Sequence, residues 1–410
     1  MRLFGNGRVA LVGDAATAER LGWAARRRSR PDAAVLLRPR GGDAHTEPWI
    51  APGWHDPAAG PESLRRRSTR TCWSYLPEPP GVLRYLRRLA EPASRRGASV
   101  AVVGMGRVGG VAATVLALTP SLSSGIREVL VHDCTPANQQ RWLLELGSIA
   151  RWRSGDGLPA VGAATIDEVF ARCDVVLFAA AAAVPPPGAP GDVRTVQFAP
   201  NRAILVLLLE RARAAGFTGL LIVVSDPVDA LAQAAFHDSN SDASGAFTGQ
   251  GLAPERVGGL GLGVMWGRAL ACARQEGWEK EVSRRGALYG PHGSDVLAYD
   301  DVRRPDRRRC LALTRAAREG NLRVRALGHL PYVGPGASSV GLMLPQLLAG
   351  EEVLASVMLD GVYFGAPARM DWGLYPTPHP MARRVWSDLR ELRGRLEENA
   401  RSLGLTWRPG

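Results

Sequence analysis

The sequence predicts an α/β protein built on a doubly wound parallel sheet, and three observations predict it. First, β-branched apolar runs (Val100–Val103, Val129–Val131, Val175–Phe178) alternate with stretches whose apolar residues recur at helical spacing. A run that stays apolar without alternating reads as a strand buried on both faces. Second, the turn Gly104-Met105-Gly106-Arg107-Val108-Gly109 follows the first run directly and opens a helix pattern. Third, an acid, Asp133, closes the next strand.

Each element has a local reason. Three glycines at this spacing allow a tight turn, a close approach of backbone to a pyrophosphate, and close packing of helix on strand. The helix that starts there points its first N–H groups toward an anion. Gly104, Met105, Gly106, Arg107, Val108 and Gly109 therefore form a candidate cofactor-binding turn of the Rossmann type. Asp133 stands where its carboxylate would accept hydrogen bonds from the adenosine ribose. With His132 and Cys134 beside it and no arginine, that acid implies NAD over NADP, since it would repel a 2′-phosphate. An amphipathic segment, 136–149, comes next, and then a buried strand at 174–178. This strand runs into Ala179–Ala183 and a proline-stiffened loop ending at Arg194. A helix is expected over Phe198–Ala215 and a strand over Gly219–Val224, ending in Ser225-Asp226-Pro227-Val228-Asp229. All these loops fall at the carboxyl edge of the sheet, where such folds bind ligands.

The 410 residues, 46% of them hydrophobic, suffice for two cores and an extension. No apolar run reaches membrane-spanning length and Met1–Gly5 lacks a signal-peptide apolar region, so the expectation is a cytoplasmic protein without a membrane partner. The five cysteines, Cys72, Cys134, Cys173, Cys272 and Cys310, show no CxxC spacing, which argues against a metal site and a disulfide framework. The net charge of +12 is uneven: residues 1–97 hold 18 arginines against 9 acids. Lys280 is the one lysine, so nearly every cation is arginine, the signature of a GC-rich genome rather than of phosphate binding. No nucleic-acid partner is expected, and Schiff-base chemistry is improbable.

Residues 1–97 read as a small α/β extension. Strands are expected at Arg8–Val12 and Ala33–Leu37 around a helix at Ala15–Arg28. A Pro/Gly-rich loop, Pro39–Pro80, carries Trp49, Trp54 and Trp73 and is expected to pack on the body or a partner subunit. A helix at Pro80–Arg96 follows. The dinucleotide-binding domain then spans 98–262 and a second, α+β domain 263–410.

From about residue 98 to 380 the sequence resembles the lactate/malate dehydrogenase family. The family's NPVD appears as Asp226-Pro227-Val228-Asp229, and its RVxGxGTxLDxxR as the segment from Arg256 to Arg268, without a gap. Its GxHG appears as Gly290-Pro291-His292-Gly293. Gly336-Ala337-Ser338-Ser339, Leu359–Tyr363 and Gly365-Ala366-Pro367 are similar to its GATS, DGEYG and GVP stretches. The resemblance implies an NAD-dependent oxidoreductase in which His292 is the acid/base, Arg268 holds the substrate carboxylate in a two-pronged contact, and Arg194 closes over the substrate. It also implies cofactor contacts at Ala180 and Ser225, substrate contacts at Gly188, Asn201, Met265 and Ser338, and a homodimer or homotetramer. Three departures stand out. The aspartate that orients the histidine is Met265, the asparagine of NPVD is Asp226, and the specificity position of the mobile loop is Gly188. Asp226 is therefore expected to partner His292 or a cationic substrate nitrogen. The glycine leaves volume for a bulky substrate, a specialised 2-hydroxy or 2-oxo acid or an amino or imino acid. The alternative is a catalytically weak NAD-binding scaffold.

Overall fold

In the computed structural model the described residues are 97–150, 157–182, 193–246, 248, 251–328, 333–359, 361–370, 373–377 and 379–406, together with five short strands within residues 3–74. Those strands are β1 (Leu3–Gly5), β2 (Val9–Val12), β3 (Ala24–Ala25), β4 (Ala33–Leu37) and β5 (Thr71–Ser74), in sheet order β3-β1-β2-β4-β5. The parallel pairing of β2 with β4 fits the expected strand pair. Two expectations are corrected. Ala24–Ala25 pairs with β1 inside the stretch expected to be helical, and Thr71–Ser74, which includes Trp73, is a strand inside the expected loop. Sheet pairing overrides helix propensity in an alanine-rich stretch, and a four-residue strand is too short to show a period. Trp49, Trp54 and the helix expected at Pro80–Arg96 lie outside the described residues.

The main body alternates as the apolar runs require. Its first half comprises β6 (Ala98–Val103), α1 (Arg107–Leu118), β7 (Ile126–His132), α2 (Pro136–Gly147), β8 (Ala160–Ala163), α3 (Ile166–Arg172), β9 (Val175–Phe178), α4 (Val193–Ala214), β10 (Leu220–Val223), α5 (Val228–Ser239) and β11 (Val257–Gly259). The parallel strands stand in the order β8-β7-β6-β9-β10-β11, so the switch point falls between β6 and β9. Along β6, Val100 and Val102 enter one core while Ala101 and Val103 enter the core on the opposite face, which is why the run never alternates with polar residues. Helix α3, absent from the sequence reading, starts at a capping box: the Thr165 hydroxyl accepts from Glu168 N, and the Glu168 carboxylate accepts from Thr165 N. Helix α4 starts at Val193, five residues before the expected Phe198, so the backbone of Arg194 lies in its first turn rather than in a loop.

The second half adds α6 (Gly263–Gln275), α7 (Glu279–Arg285), β12 (Ala287–Tyr289), β13 (Leu297–Tyr299), α8 (Arg307–Ala326), α9 (Gly334–Leu348), β14 (Glu352–Leu359), β15 (Val362–Met370), β16 (Leu374–Pro376) and α10 (Arg383–Ser402). Strands β14, β15 and β16 continue the parallel sheet antiparallel beyond β11, so one nine-stranded sheet crosses residue 262. Helix α9 lies on α1 so closely that a Cβ on Gly341 would stand 2.6 Å from Val115 Cβ. The second half thereby packs directly on the helix that opens at the glycine turn.

Candidate active site

The glycine turn needs each of its three glycines for a different reason. Gly104 has φ +93°, and a Cβ there would stand 2.4 Å from the Ala180 Cα. A Cβ on Gly109 would stand 2.0 Å from the Gly104 carbonyl oxygen. On Gly106 it would meet no protein atom within 4 Å. Gly106 also caps α1 without any side-chain hydrogen bond, so the helix presents bare N–H groups beside an open approach. The turn therefore fits a pyrophosphate, and a side chain at Gly106 would fill the same approach.

Between these glycines the Met105 peptide is held at both ends. Its N–H donates to Asp133 Oδ2 at 2.9 Å. Its carbonyl accepts from Trp142 Nε1 at 2.7 Å and from Asn138 Nδ2 at 3.1 Å. Asn138 Nδ2 also donates to Asp133 Oδ2, and Thr135 N donates to Asp133 Oδ1 at 2.9 Å. Asp133 thus orients the turn. Asn138 and Trp142 were missed in the sequence. Their signal was the i, i+4 spacing that puts both on one face of α2, the face that reaches the glycine turn. Ala180 lies against Gly104, and Ser225, buried, donates from Oγ to the Ala180 carbonyl at 2.5 Å, tying two strand ends together.

The second cluster forms around His292, in the loop after β12. Gly290, at φ +108°, exchanges backbone hydrogen bonds with Gly365 of β15 at 2.8 and 3.0 Å. His292 N then donates to Asp229 Oδ2 at 2.7 Å, and Ser356 Oγ of β14 donates to Asp229 Oδ1 at 2.7 Å. Burial pushes the Asp229 carboxyl above the ordinary range, opposed in part by these two hydrogen bonds and by the adjacent imidazole. The imidazole Nε2 faces Asp226 Oδ1 at 3.8 Å. His292 Nδ1 and Asp226 Oδ1 are both buried, and neither has a hydrogen-bond partner among the described residues. Asp229, Ser356 and Gly261, where a Cβ would stand 3.1 Å from His292 Cβ, went unnoticed in the sequence because no local pattern relates them to His292.

Three expected contacts are corrected. Met265 is 2% exposed and packs in the apolar core with Leu262, Ala269 and Leu288, so its side chain cannot face a substrate. Asn201 is fully buried. Its Oδ1 accepts from Ala182 N at 2.9 Å and its Nδ2 donates to the Asp226 carbonyl at 2.8 Å, so it joins two loops. Arg268 turns onto α8, donating to the Ala317 carbonyl at 3.3 Å and to Asn321 Oδ1. Its guanidinium is a tether between α6 and α8. Ser338 is half-buried in the first turns of α9. Gly188 and the Arg194 side chain lie outside the described residues.

Beside His292 is a cavity of about 180 Å³ whose apolar wall includes Phe198, Tyr363, Leu396, Leu403 and Leu405. Among the described residues no group of three or more His, Cys, Asp or Glu could hold a metal ion, and no helix is long and apolar enough to cross a membrane.

The strand order, the glycine turn and the acid after β7 define a dinucleotide-binding protein of the doubly wound class. The family model for the lactate/malate dehydrogenase NAD-binding domain matches residues 98–247. Over those residues the chain is similar to the lactate/malate dehydrogenases, and NAD is the cofactor that domain binds. Solved structures of similar fold include malate dehydrogenase from Plasmodium falciparum, with 17% identity and a TM-score of 0.60, covering 75% of this chain and 99% of that one. Another is the minor L-lactate dehydrogenase from Enterococcus mundtii in a ligand-bound form, with 18% identity, a TM-score of 0.58, and coverage of 74% and 98%. A third is malate dehydrogenase from Archaeoglobus fulgidus in complex with NADH, with 18% identity, a TM-score of 0.58, and coverage of 75% and 99%. Comparison with curated proteins gives no match.

Proposed function

We propose that this NAD-dependent oxidoreductase of the lactate/malate dehydrogenase type acts on a bulky or specialised 2-hydroxy or 2-oxo acid, or on the related amino or imino acid, with His292 as acid/base. One observation carries the reading. His292 is anchored through its backbone by Asp229, so its ring is left to face Asp226 and the cavity. When bound, NAD supplies or takes the hydride. The glycine turn and Asp133 hold the cofactor. His292 Nε2 gives or takes the proton at the substrate heteroatom, a role suited to an imidazole at neutral pH. Asp226 stabilises the imidazolium from the Nε2 side, in place of the aspartate that Met265 replaces. The apolar wall of Phe198, Leu396, Leu403 and Leu405 excludes water and receives a bulky side chain. Arg194, in the first turn of α4, closes over the substrate. Arg268 donates to the Ala317 carbonyl and to Asn321 on α8, and a carboxylate contact would use its remaining N–H donors.

A second reading, an NAD-binding scaffold of weak activity, draws on the partnerless Nδ1 of His292. One assay separates the two. Paired 2-oxo and 2-hydroxy acids with bulky side chains are screened, with and without ammonium or amines, following NADH absorbance. Turnover on one class that falls by about 10²–10⁴ in His292→Asn, at unchanged NADH affinity, is the expected result. A wild type that binds NADH yet turns over no class would support the scaffold.

A further inference from the structure

We infer that the substrate's side chain is an uncharged hydrocarbon about the size of one six-membered ring, seated in the cavity beside His292, so that the site takes an aryl 2-oxo acid in preference to pyruvate or a dicarboxylic acid. This deepens the proposed dehydrogenase reading and rests on it.

The cavity lies on the side of the sheet edge toward which a cofactor held by the glycine turn extends its reactive end. The turn follows β6, and Asp133 follows β7. An adenosine on the β7 side leaves the nicotinamide half to run across the ends of β9 and β10, the next two strands in the sheet. Two strand spacings are about 10 Å, which leads to Pro227, the residue that caps α5. Pro227 and His292 both line the cavity.

The inner wall offers nothing to a charge. Phe198, Tyr363 and Leu405 line it as buried residues, with Leu396 and Leu403 of the α10 end half-buried beside them. Its polar groups are already engaged by the protein. Both oxygens of Asp229 accept hydrogen bonds, from His292 N and Ser356 Oγ. Gln233 donates to the Gly361 and Leu405 carbonyls and accepts from Tyr363 N, and the Tyr363 hydroxyl donates to the Pro254 carbonyl. Among the described residues no lysine or arginine lines the cavity. A second carboxylate carried against this wall would be buried without a donor, at a large desolvation cost.

The volume, about 180 Å³, sets the size. An apolar cavity of about 150 Å³ stays dry and holds one benzene. One ring with its methylene therefore fills this space, while a methyl group leaves most of the wall without contacts and a fused pair of rings overfills it. The reaction balances with NADH as the reductant. Hydride adds to the carbonyl carbon, the π pair moves to the oxygen, and protonated His292 gives that oxygen its proton.

The test is steady-state kinetics on the full chain with NADH and four 2-oxo acids: pyruvate, oxaloacetate, phenylpyruvate and indole-3-pyruvate. Phenylpyruvate is expected to exceed pyruvate and oxaloacetate in kcat/KM by about 10- to 100-fold, and indole-3-pyruvate by about tenfold. Leu396→Ala widens the wall and should raise indole-3-pyruvate relative to phenylpyruvate by about tenfold. Ala230→Leu fills the cavity from α5 and should cut the lead of phenylpyruvate over pyruvate by about tenfold, with NADH affinity and melting temperature reporting that the fold persists. Preference for pyruvate or oxaloacetate, or a size ranking unchanged in both variants, overturns the inference. If that turnover still depends on His292, the dehydrogenase reading stands. Binding of NADH with no turnover of any of the four overturns the inference, and a blank in the wider screen of 2-oxo and 2-hydroxy acids then overturns the dehydrogenase reading with it.

Discussion

The glycine turn and the His292 cluster lie at one edge of one sheet, yet they are finished to different degrees. In the turn the chain completes itself: the Met105 peptide has partners at both its N–H and its carbonyl, and the clearance at Gly106 is created by the lack of a side chain. Around His292 the backbone is just as firmly held, but Nδ1 and Asp226 Oδ1 have no hydrogen-bond partner among the described residues. A site whose ligand is a constant group can be preorganised down to its last hydrogen bond.

The strongest break in this comparison is Gly109→Val. A Cβ would stand 2.0 Å from the Gly104 carbonyl, so the turn must open. NAD binding should weaken by about 100-fold or more by calorimetry, while circular dichroism stays close to wild type.

Ser356→Ala acts on the other region alone. It leaves Asp229 Oδ1 buried without its donor, which should lower stability by about 1–3 kcal/mol by denaturant unfolding and leave NAD affinity intact. The pH dependence sharpens the result. Asp229 has a raised carboxyl, so its contribution to stability is complete below the ordinary carboxylate range and is lost as pH rises through the raised value. Removing the Ser356 hydrogen bond raises that carboxyl further, so the variant should go on losing stability to a higher pH than wild type.

Trp142→Phe is a finer probe of the first region. The donor to the Met105 carbonyl is lost, together with the outer indole atoms that lie nearest Gly110. NAD affinity should fall by about 3- to 10-fold, with substrate affinity unchanged.

The smallest effect is expected outside both regions, at Arg202→Met. Burial pushes the Asp238 carboxyl up, but hydrogen bonds from His237 and Arg202 and their charges bring it below its ordinary value. Its contribution is therefore present above the ordinary carboxylate range and lost as pH falls through the depressed value. With Arg202 30% exposed, solvent screening holds the loss to about 1 kcal/mol or less near neutral pH. The acid edge of thermal stability should move to higher pH, and neither NAD nor substrate affinity should respond.

The sequence by itself determined what a few neighbouring residues can encode. Val100–Val103 is a strand buried on both faces, Gly104–Gly109 is a turn that admits a pyrophosphate, and Asp133 closes β7, because each is a matter of local period or backbone freedom. The short strands at Ala24–Ala25 and Thr71–Ser74 escaped for the converse reason, since their partners rather than their own residues make them strands. Only the tertiary structure decided the surroundings of His292. Asp229 and Ser356 stand 63 and 127 residues apart from their hydrogen-bond partners in the chain, on α5 and β14, and meet because the sheet runs on past β11. It also decided that Asn201, a polar residue a sequence reading turns toward the substrate, spends its amide on the protein, and that Arg268 donates to α8. A hydrogen-bonding side chain is satisfied by whatever the fold brings within about 3 Å, and no spacing along the chain states what that will be.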